Sequence, residues 1–428
     1  MSQISTFSDK SNAKITIKQY DPKDSTKLSQ LASTVDEVNS LNGFIHGKRV
    51  FNAPYHAKSQ KYKDSVILFA EDPNKIKNEE PTVCASAELD IKEAYVDGQP
   101  TKIGYISDLR VHPEYRRRGV GSKLVEELEK QGREKGVNVF YSLLLKGNET
   151  EKVLKLFEKG GFQPNNQANV LNIEFSKYTK SEPTATIGTE QVQFHEVNKA
   201  RAKELLKQYY QQNDFFLTNP EEYFENPDYV NTYVVETANG DLLAGVSLYD
   251  TPKESKLILE KLFIPTDYAF SRWAHIPTMS AISLVAAAMF YVLNGKFHFN
   301  PKTSASIAIG LNLGFLFIYT KLLNASRVLS GKEPKCRLAG MFYQGNPSER
   351  DNLFKFLFSN VESLAYEKGY RRASIQIDDT DVLRENIQKG ESFCRYVLYS
   401  KWLNKSTQNT ENKPSLFKNF SFYDPRDW

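Results

Sequence analysis

Over Tyr105 to Val111 apolar and polar residues alternate, which is the period of a half-buried strand. Pro113 ends the run, because proline has no N–H to give a sheet ladder. From Ser122 to Lys135 the period changes, and Leu124, Val125 and Leu128 recur at helical spacing. A strand therefore runs through a basic, glycine-containing stretch into a helix N-terminus.

The same pattern reading extends along the chain. Ile15 to Tyr20, Ser65 to Ala70 and Thr82 to Leu89 predict strands, with a turn at Asp97-Gly98. Asp24-Ser25 is suited to capping a helix that runs to about Asn39. Val137 to Leu145 is continuously apolar and β-prone, the mark of a buried strand. A helix over Glu151 to Lys159 and a closing strand over Val170 to Tyr178 follow. Thr179 to Glu190, rich in Ser, Thr, Pro and Gly, marks a domain boundary.

The second half begins in the same way. Val192 to Val197 predicts a strand and Lys199 to Gln211 a helix. Thr232 to Tyr249 predicts a hairpin about Asn239-Gly240. After an interruption, Arg337 to Tyr343 predicts a strand, Ser348 to Lys368 a helix and Arg372 to Ile377 a strand. Glu134-Lys135-Gly136 and Glu367-Lys368-Gly369 each end a long helix before a strand, with glycine at the expected C-terminal position. Two copies of one α/β unit are inferred. Aligned on that tripeptide, Gly119 and Gly121 of the first copy become Asn352 and Phe354, so the second copy is degenerate.

Within the interruption, residues 273–295 and 303–320 contain no Asp, Glu, Lys or Arg. Each approaches the roughly 20 apolar residues that cross a bilayer. Gly310 and Gly314 have the spacing that lets two membrane helices approach closely. A helical hairpin contacting membrane is one reading, and a buried helical pair is the other.

Composition narrows the classes. Hydrophobic content of 40% supports real cores, and a net charge of +4 without a long basic block gives no pointer to nucleic acid. Three distant cysteines (Cys84, Cys336, Cys394) exclude a disulfide framework and suit a reducing, intracellular compartment. The histidines never pair at metal-ligand spacing, so no metal is expected.

The glycine turn holds the candidate chemistry. A helix N-terminus presents free N–H groups at the positive end of its dipole and suits phosphate. Gly119-Val120-Gly121-Ser122-Lys123 fits neither a P-loop nor a dinucleotide fingerprint, since position 124 is Leu. Arg116, Gly119 and Gly121, with Leu109, Val111 and Pro113 before them, resemble the Arg/Gln-x-x-Gly-x-Gly/Ala pattern of the GCN5-related N-acetyltransferases (GNAT). Asn148 and Gly160-Gly161-Phe162 match the family's downstream segment. The start at Tyr20-Asp21-Pro22, Leu156-Phe157 and the terminal Phe422-to-Asp427 stretch look like the plant HOOKLESS-type putative N-acetyltransferases.

The resemblance implies acetyl-CoA as cosubstrate and an amine acceptor, of a protein or peptide. It implies that Arg116, Arg117, Arg118, Gly119, Val120, Gly121 and Ser122 hold pyrophosphate, and that Asn148 joins them. Backbone groups of Leu109, Arg110 and Val111 would hold the pantetheine arm, with the Leu109 N–H as oxyanion donor. Tyr105 stands where some family members have a catalytic tyrosine, and Asp108 and Glu88 are the nearby carboxylates. Each is also readable structurally: Tyr105 as a core aromatic, the two acids as rim carboxylates. Phe157 stands where catalytic members usually have a proton-donating tyrosine, which keeps a CoA-binding pseudoenzyme or scaffold, membrane-anchored or not, as the alternative. The expected fold is α/β (α+β): tandem GNAT-like mixed sheets flanked by helices, residues 1–180 and 191–428, the second interrupted by an apolar hairpin at about 265–330.

Overall fold

A computed structural model describes residues 3–36, 38–40, 45–77, 80–145, 151–175, 181–211, 213, 215–251, 255–261, 334–344, 348–378 and 391–402. The expected apolar hairpin, 273–295 with 303–320, lies outside the described residues, as do Asn148, the turn at 345–347 and the terminal 422–427 stretch. Among the described residues no helix is long and apolar enough to cross a membrane. The chain divides into two compact units.

The smaller unit, residues 36–52 and 255–333, contains a three-stranded antiparallel sheet. Its strands are β3 (Val38–Ser40), β4 (Ile45–Phe51) and β14 (Ser255–Lys261), with β4 in the centre.

The larger unit is built on one 14-stranded sheet. Its first half consists of β1 (Gln3–Ser8), β2 (Lys14–Gln19), α1 (Ser25–Val35), β5 (Asp64–Lys77), β6 (Glu80–Val96), β7 (Gln99–Val111), α2 (Val120–Glu134), β8 (Val139–Leu145), α3 (Glu151–Lys159) and β9 (Gln163–Glu174). The second half consists of β10 (Thr184–Ile187), β11 (Glu190–Val197), α4 (Lys199–Tyr210), α5 (Glu221–Glu225), β12 (Tyr229–Thr237), β13 (Leu242–Asp250), β15 (Lys335–Tyr343), α6 (Arg350–Glu367), β16 (Arg372–Asp378) and β17 (Glu391–Trp402). Strand, helix, three antiparallel strands, long helix and parallel strand recur in both, so the inferred repeat is visible in the element order.

The halves do not close as separate sheets at the expected boundary of 179–190. Part of that stretch is β10, a hairpin partner of β11. The last strand, β17, lies between β8 and β9 of the first half and is antiparallel to both. β9 in turn pairs with β16 of the second half. The strand order β7-β8-β17-β9-β16-β15 therefore joins the two copies through backbone hydrogen bonds.

Three apolar clusters cover this sheet. One face of the first half packs against α2 and α3 through Leu89, Leu124, Leu128, Phe140, Phe157 and Phe162. On α2, Gly132 lets the helix lie against the sheet: a Cβ there would sit 2.5 Å from Phe140 Cε1. A second cluster joins Ile103, Tyr105, Val139 and Tyr141 of the first half to Leu205, Phe215, Phe216 and Tyr223 of the second. The third packs α6 on β12, β13 and β15.

Candidate active site

The site begins where two strands part. β7 and β8 run parallel through Ile103↔Val139, Gly104↔Phe140 and Tyr105↔Tyr141, and the described ladder ends there. Ser142 Oγ donates to the Ile106 carbonyl at 2.8 Å, bridging the point of divergence. β8 then continues on β17 as far as Leu145, while β7 continues on β6 as far as Val111. A one-residue bulge lies just past the parting. Between Ser86 and Glu88 β6 advances two residues while β7 covers three, Arg110 to Ser107. Asp108 in the bulge has φ +53°, a left-handed backbone that few non-glycine residues adopt. The Leu109–Val111 segment expected to hold the pantetheine arm is thus the edge of β7 after its ladder to β8 has ended.

At the end of β7 the chain makes the glycine turn. His112 and Pro113–Tyr115 form a short 3-10 turn, and Gly119, with φ +93°, starts α2. Only glycine takes that angle freely. Gly121 serves a different need: a Cβ there would press on Leu156 Cδ1 and Val111 Cγ2, each at 3.2 Å. The first turn of α2 closes through the Lys123 N–H on the Gly119 carbonyl, so the amides of Val120, Gly121 and Ser122 precede the helical hydrogen bonds.

The three turn arginines divide their work. Arg116 Nε donates to the Val111 carbonyl at 3.1 Å, and Arg117 is exposed with φ +65°. Arg118 reaches back to the β1–β2 hairpin, bonding Ser11 Oγ at 3.2 Å and lying 3.6 Å from Asp9 Oδ2, with its guanidinium over the Tyr115 ring. Burial lifts the Asp9 carboxyl, yet its hydrogen bonds from Ser11 and Ala13 and the Arg118 charge hold it below the usual range. Arg118 is thus a strut that fixes the turn on the sheet. Its expected place among the phosphate ligands is shared with this structural duty.

On the side of the sheet facing the second half, polar groups gather at the bulge. Glu88, Asp90 and Lys92 project from β6 at alternate positions and are all buried. Glu88 is opposite Ser107 and Asp90 opposite Tyr105. Lys58, on the turn segment between β4 and β5, places Nζ 3.3 Å from Ser107 Oγ and 4.0 Å from Asp108 Oδ2. Arg110 Nη1 lies 3.4 Å from Asp108 Oδ1 and donates to Tyr55 Oη at 3.2 Å. Burial raises the Glu88 carboxyl above its ordinary value; Lys58 pulls it back, Asp108 pushes it further up, and Asp90 and Arg110 lower it again. Glu88 Oε1 meets no hydrogen-bond partner among the described residues.

The expected base candidates are therefore brought together, but they differ in access. Tyr105 is 5% exposed, stacked on Tyr141 with ring centroids 5.0 Å apart. Phe215, with φ +63°, covers Tyr141 from the second half at 4.8 Å. Tyr105 belongs to the apolar cluster, while Asp108 is half-buried at the bulge. Phe157 is 1% exposed, edge-on to Phe162 in the opposite cluster. Sequence reasoning missed Lys58, Tyr55, Asp90 and Lys92. The Glu88-Asp90-Lys92 alternation inside an apolar strand was a usable signal; Tyr55 and Lys58 are tens of residues upstream and fall in no motif.

Residues 48–162 match the acetyltransferase (GNAT) family. A comparison with curated protein sequences finds no match. Among solved structures, one similar fold is the glucosamine N-acetyltransferase region of a fungal multi-domain β-N-acetylglucosaminidase, at 15% identity and TM-score 0.55. The match covers 91% of this chain, which spans only 38% of that one. A GCN5-related N-acetyltransferase from Sphaerobacter thermophilus gives TM-score 0.51 at 11% identity, over 91% of this chain and 95% of that one. Saccharomyces cerevisiae N-myristoyltransferase with bound myristoyl-CoA gives 0.53 at 10% identity, over 99% and 87%.

Proposed function

We propose that this chain, whose residues 48–162 match the acetyltransferase (GNAT) family, moves an acetyl group from acetyl-CoA to a primary amine of a protein or peptide. The observation that carries the proposal is the parting of β7 from β8 directly ahead of the glycine turn at the N-terminus of α2. The turn would bind pyrophosphate through the first amides of α2, with Arg116 and Arg117 beside it. The released edge of β7 would hold the pantetheine arm, and the Leu109 N–H would polarise the thioester carbonyl.

The acceptor amine would lose its proton to Glu88 or Asp108 and attack the carbonyl carbon. The C–N bond forms, the C–S bond breaks, and the thiolate takes a proton from water. A buried carboxyl with a raised pKa is a better base than one in water. Cys84 and Cys336 are free and buried, and we propose an intracellular, reducing compartment, which the three distant cysteines suit.

Gly121→Glu places bulk and negative charge in the turn, and calorimetric titration with acetyl-CoA is expected to show binding lost. Unchanged affinity would remove the turn from the site. A second reading, a CoA-binding scaffold without turnover, is supported by Phe157: it stands where the resemblance implies a general acid, is buried, and has no proton to give. Acetyl-CoA hydrolysis and protein acetylation measured beside binding separate the two. Comparing acetylated proteins in cells with and without the chain would then identify the acceptor.

A further inference from the structure

We infer that Lys58 is a positioning residue that sets the ionisation of the Glu88–Asp108 acid pair at the bulge. The inference rests on the acyl-transfer reading of this site and deepens it.

Three independent contacts place the ammonium. Its Nζ is 3.3 Å from Ser107 Oγ, directly opposite Glu88 in the ladder. It is 4.0 Å from Asp108 Oδ2, and 5.6 Å from the centre of the Tyr105 ring. It thus bonds to Ser107 beside the bulge, lies within ion-pair distance of Asp108 in it, and sits over the aromatic that closes the ladder. The turn that bears it is fixed to the sheet. Tyr55 Oη is 3.1 Å from Ser86 Oγ and accepts from Arg110, the Tyr55 N–H donates to Ser25 Oγ at 2.8 Å, and Ser59 Oγ donates to the His56 carbonyl. The Lys58 side chain itself is only 25% exposed, so its field is weakly screened by water.

The other groups around Glu88 act on it less strongly or in the opposite sense: a hydrogen bond with Asp90 and the Arg110 charge lower it by less than Lys58 does, and Asp108 raises it. On β6, Asp90 is an acid, and Lys92 is directed among the rings of Tyr62, Tyr105 and Tyr141 at 5.4–5.5 Å. On β7, Asp108 is a like charge, and Arg110 is shared between Asp108 and Tyr55. Tyr55 itself is pushed up by burial and is neutral near pH 7. Of the cations acting on Glu88, Lys58 has the largest effect. It is also carried by a segment outside the sheet, so the charge that tunes the base comes from a part of the chain remote in sequence from both acids.

The test is a carboxyl titration that does not require the acceptor. Protein labelled with carbon-13 at the glutamate δ-carbon is titrated by NMR, with the Glu88 signal identified by its loss in Glu88→Gln. An opposite charge within about 4–6 Å shifts a carboxyl by about 1–3 pH units. The Glu88 midpoint is therefore expected to rise by about one unit or more in Lys58→Met and to stay near wild type in Lys58→Arg. A midpoint that does not move in Lys58→Met, in protein of unchanged melting temperature, overturns the inference. If Lys58→Met destabilises the fold, Lys58→Gln, which keeps the polar contact to Ser107 without the charge, is titrated instead under the same criterion. Acetyl-CoA affinity is measured on the same samples. Wild-type protein that fails to bind acetyl-CoA at all defeats the proposed function, whereas normal binding with an unmoved midpoint defeats only the role of Lys58.

Discussion

Glu88 combines the properties a base needs: burial, a raised pKa, and a carboxylate oxygen without a hydrogen-bond partner among the described residues. Glu88→Gln is expected to lower turnover of acetyl-CoA with a panel of amines by about 10²–10⁴ while leaving its dissociation constant unchanged. Asp108→Asn should give a similar split; Tyr105→Phe should give a smaller loss, because that ring sits in the apolar cluster. If Tyr105→Phe is the most damaging of the three, the hydroxyl and not the carboxyl is the base. The same Glu88 has a stability signature. Its folded pKa lies above its unfolded value, so its favourable contribution is complete below the ordinary carboxylate range. That contribution is lost as pH rises through the raised folded pKa. Thermal melts of wild type and Glu88→Gln, compared pH by pH, should therefore diverge in favour of the variant as pH rises from acid to neutral. Parallel curves would mean that Glu88 ionises as freely as in the unfolded chain.

The long helix α2 shows what a single element demands of its residues. Gly121 and Gly132 both let it approach neighbours more closely than any larger residue allows. Gly132→Val improves intrinsic helix propensity by only a few tenths of a kcal/mol. Its Cβ, though, would meet the Phe140 ring at about van der Waals overlap, and overpacking typically costs about 1–3 kcal/mol. Packing should win, and urea unfolding is expected to show a net loss of about 1–2 kcal/mol. A more stable variant would show that α2 is free to move off the sheet. This element was legible in the sequence because its signals are local: the apolar period, the glycine turn before it and Gly136 after it. The strand β6 was legible only in part. It runs from Glu80 to Val96, beyond the expected Thr82 to Leu89, because the buried Glu88, Asp90 and Lys92 interrupt the apolar pattern without ending the strand. The bulge at Asp108 left no local mark, since Asp108 is neither Gly nor Asn.

At the scale of the molecule, the repeat was readable and the way its copies join was not. Strand pairing between Tyr141 and Ser400, or of Val170 with Gln376 and Cys394, is a long-range choice that no window of sequence encodes. Sequence suggested a domain boundary at 179–190; part of that stretch forms β10, an edge strand paired with β11, and the copies join elsewhere, through β17, β9 and β16. Removing residues 391–428 would leave the facing edges of β8 and β9 without their shared partner. Such a chain, or residues 1–180 alone, is expected to aggregate or to lose the sharp melting transition. Sedimentation and calorimetry would show it, and a soluble, cooperatively melting fragment of 1–180 would mean that the first copy closes by itself.

The exchange of β17 also imposes an order on biosynthesis. The ribosome releases β9 roughly two hundred residues before it releases the strand that must lie beside it. At about 5–20 residues per second, the candidate active half waits on the order of ten to forty seconds with one edge of β8 and both edges of β9 unpaired. Exposed edges recruit other strands. The nascent chain therefore depends on whatever shields those edges, and a translational pause placed between codons 175 and 391 lengthens the hazard. Yield in cells should respond more to slowed elongation in that window than to any comparable slowing upstream.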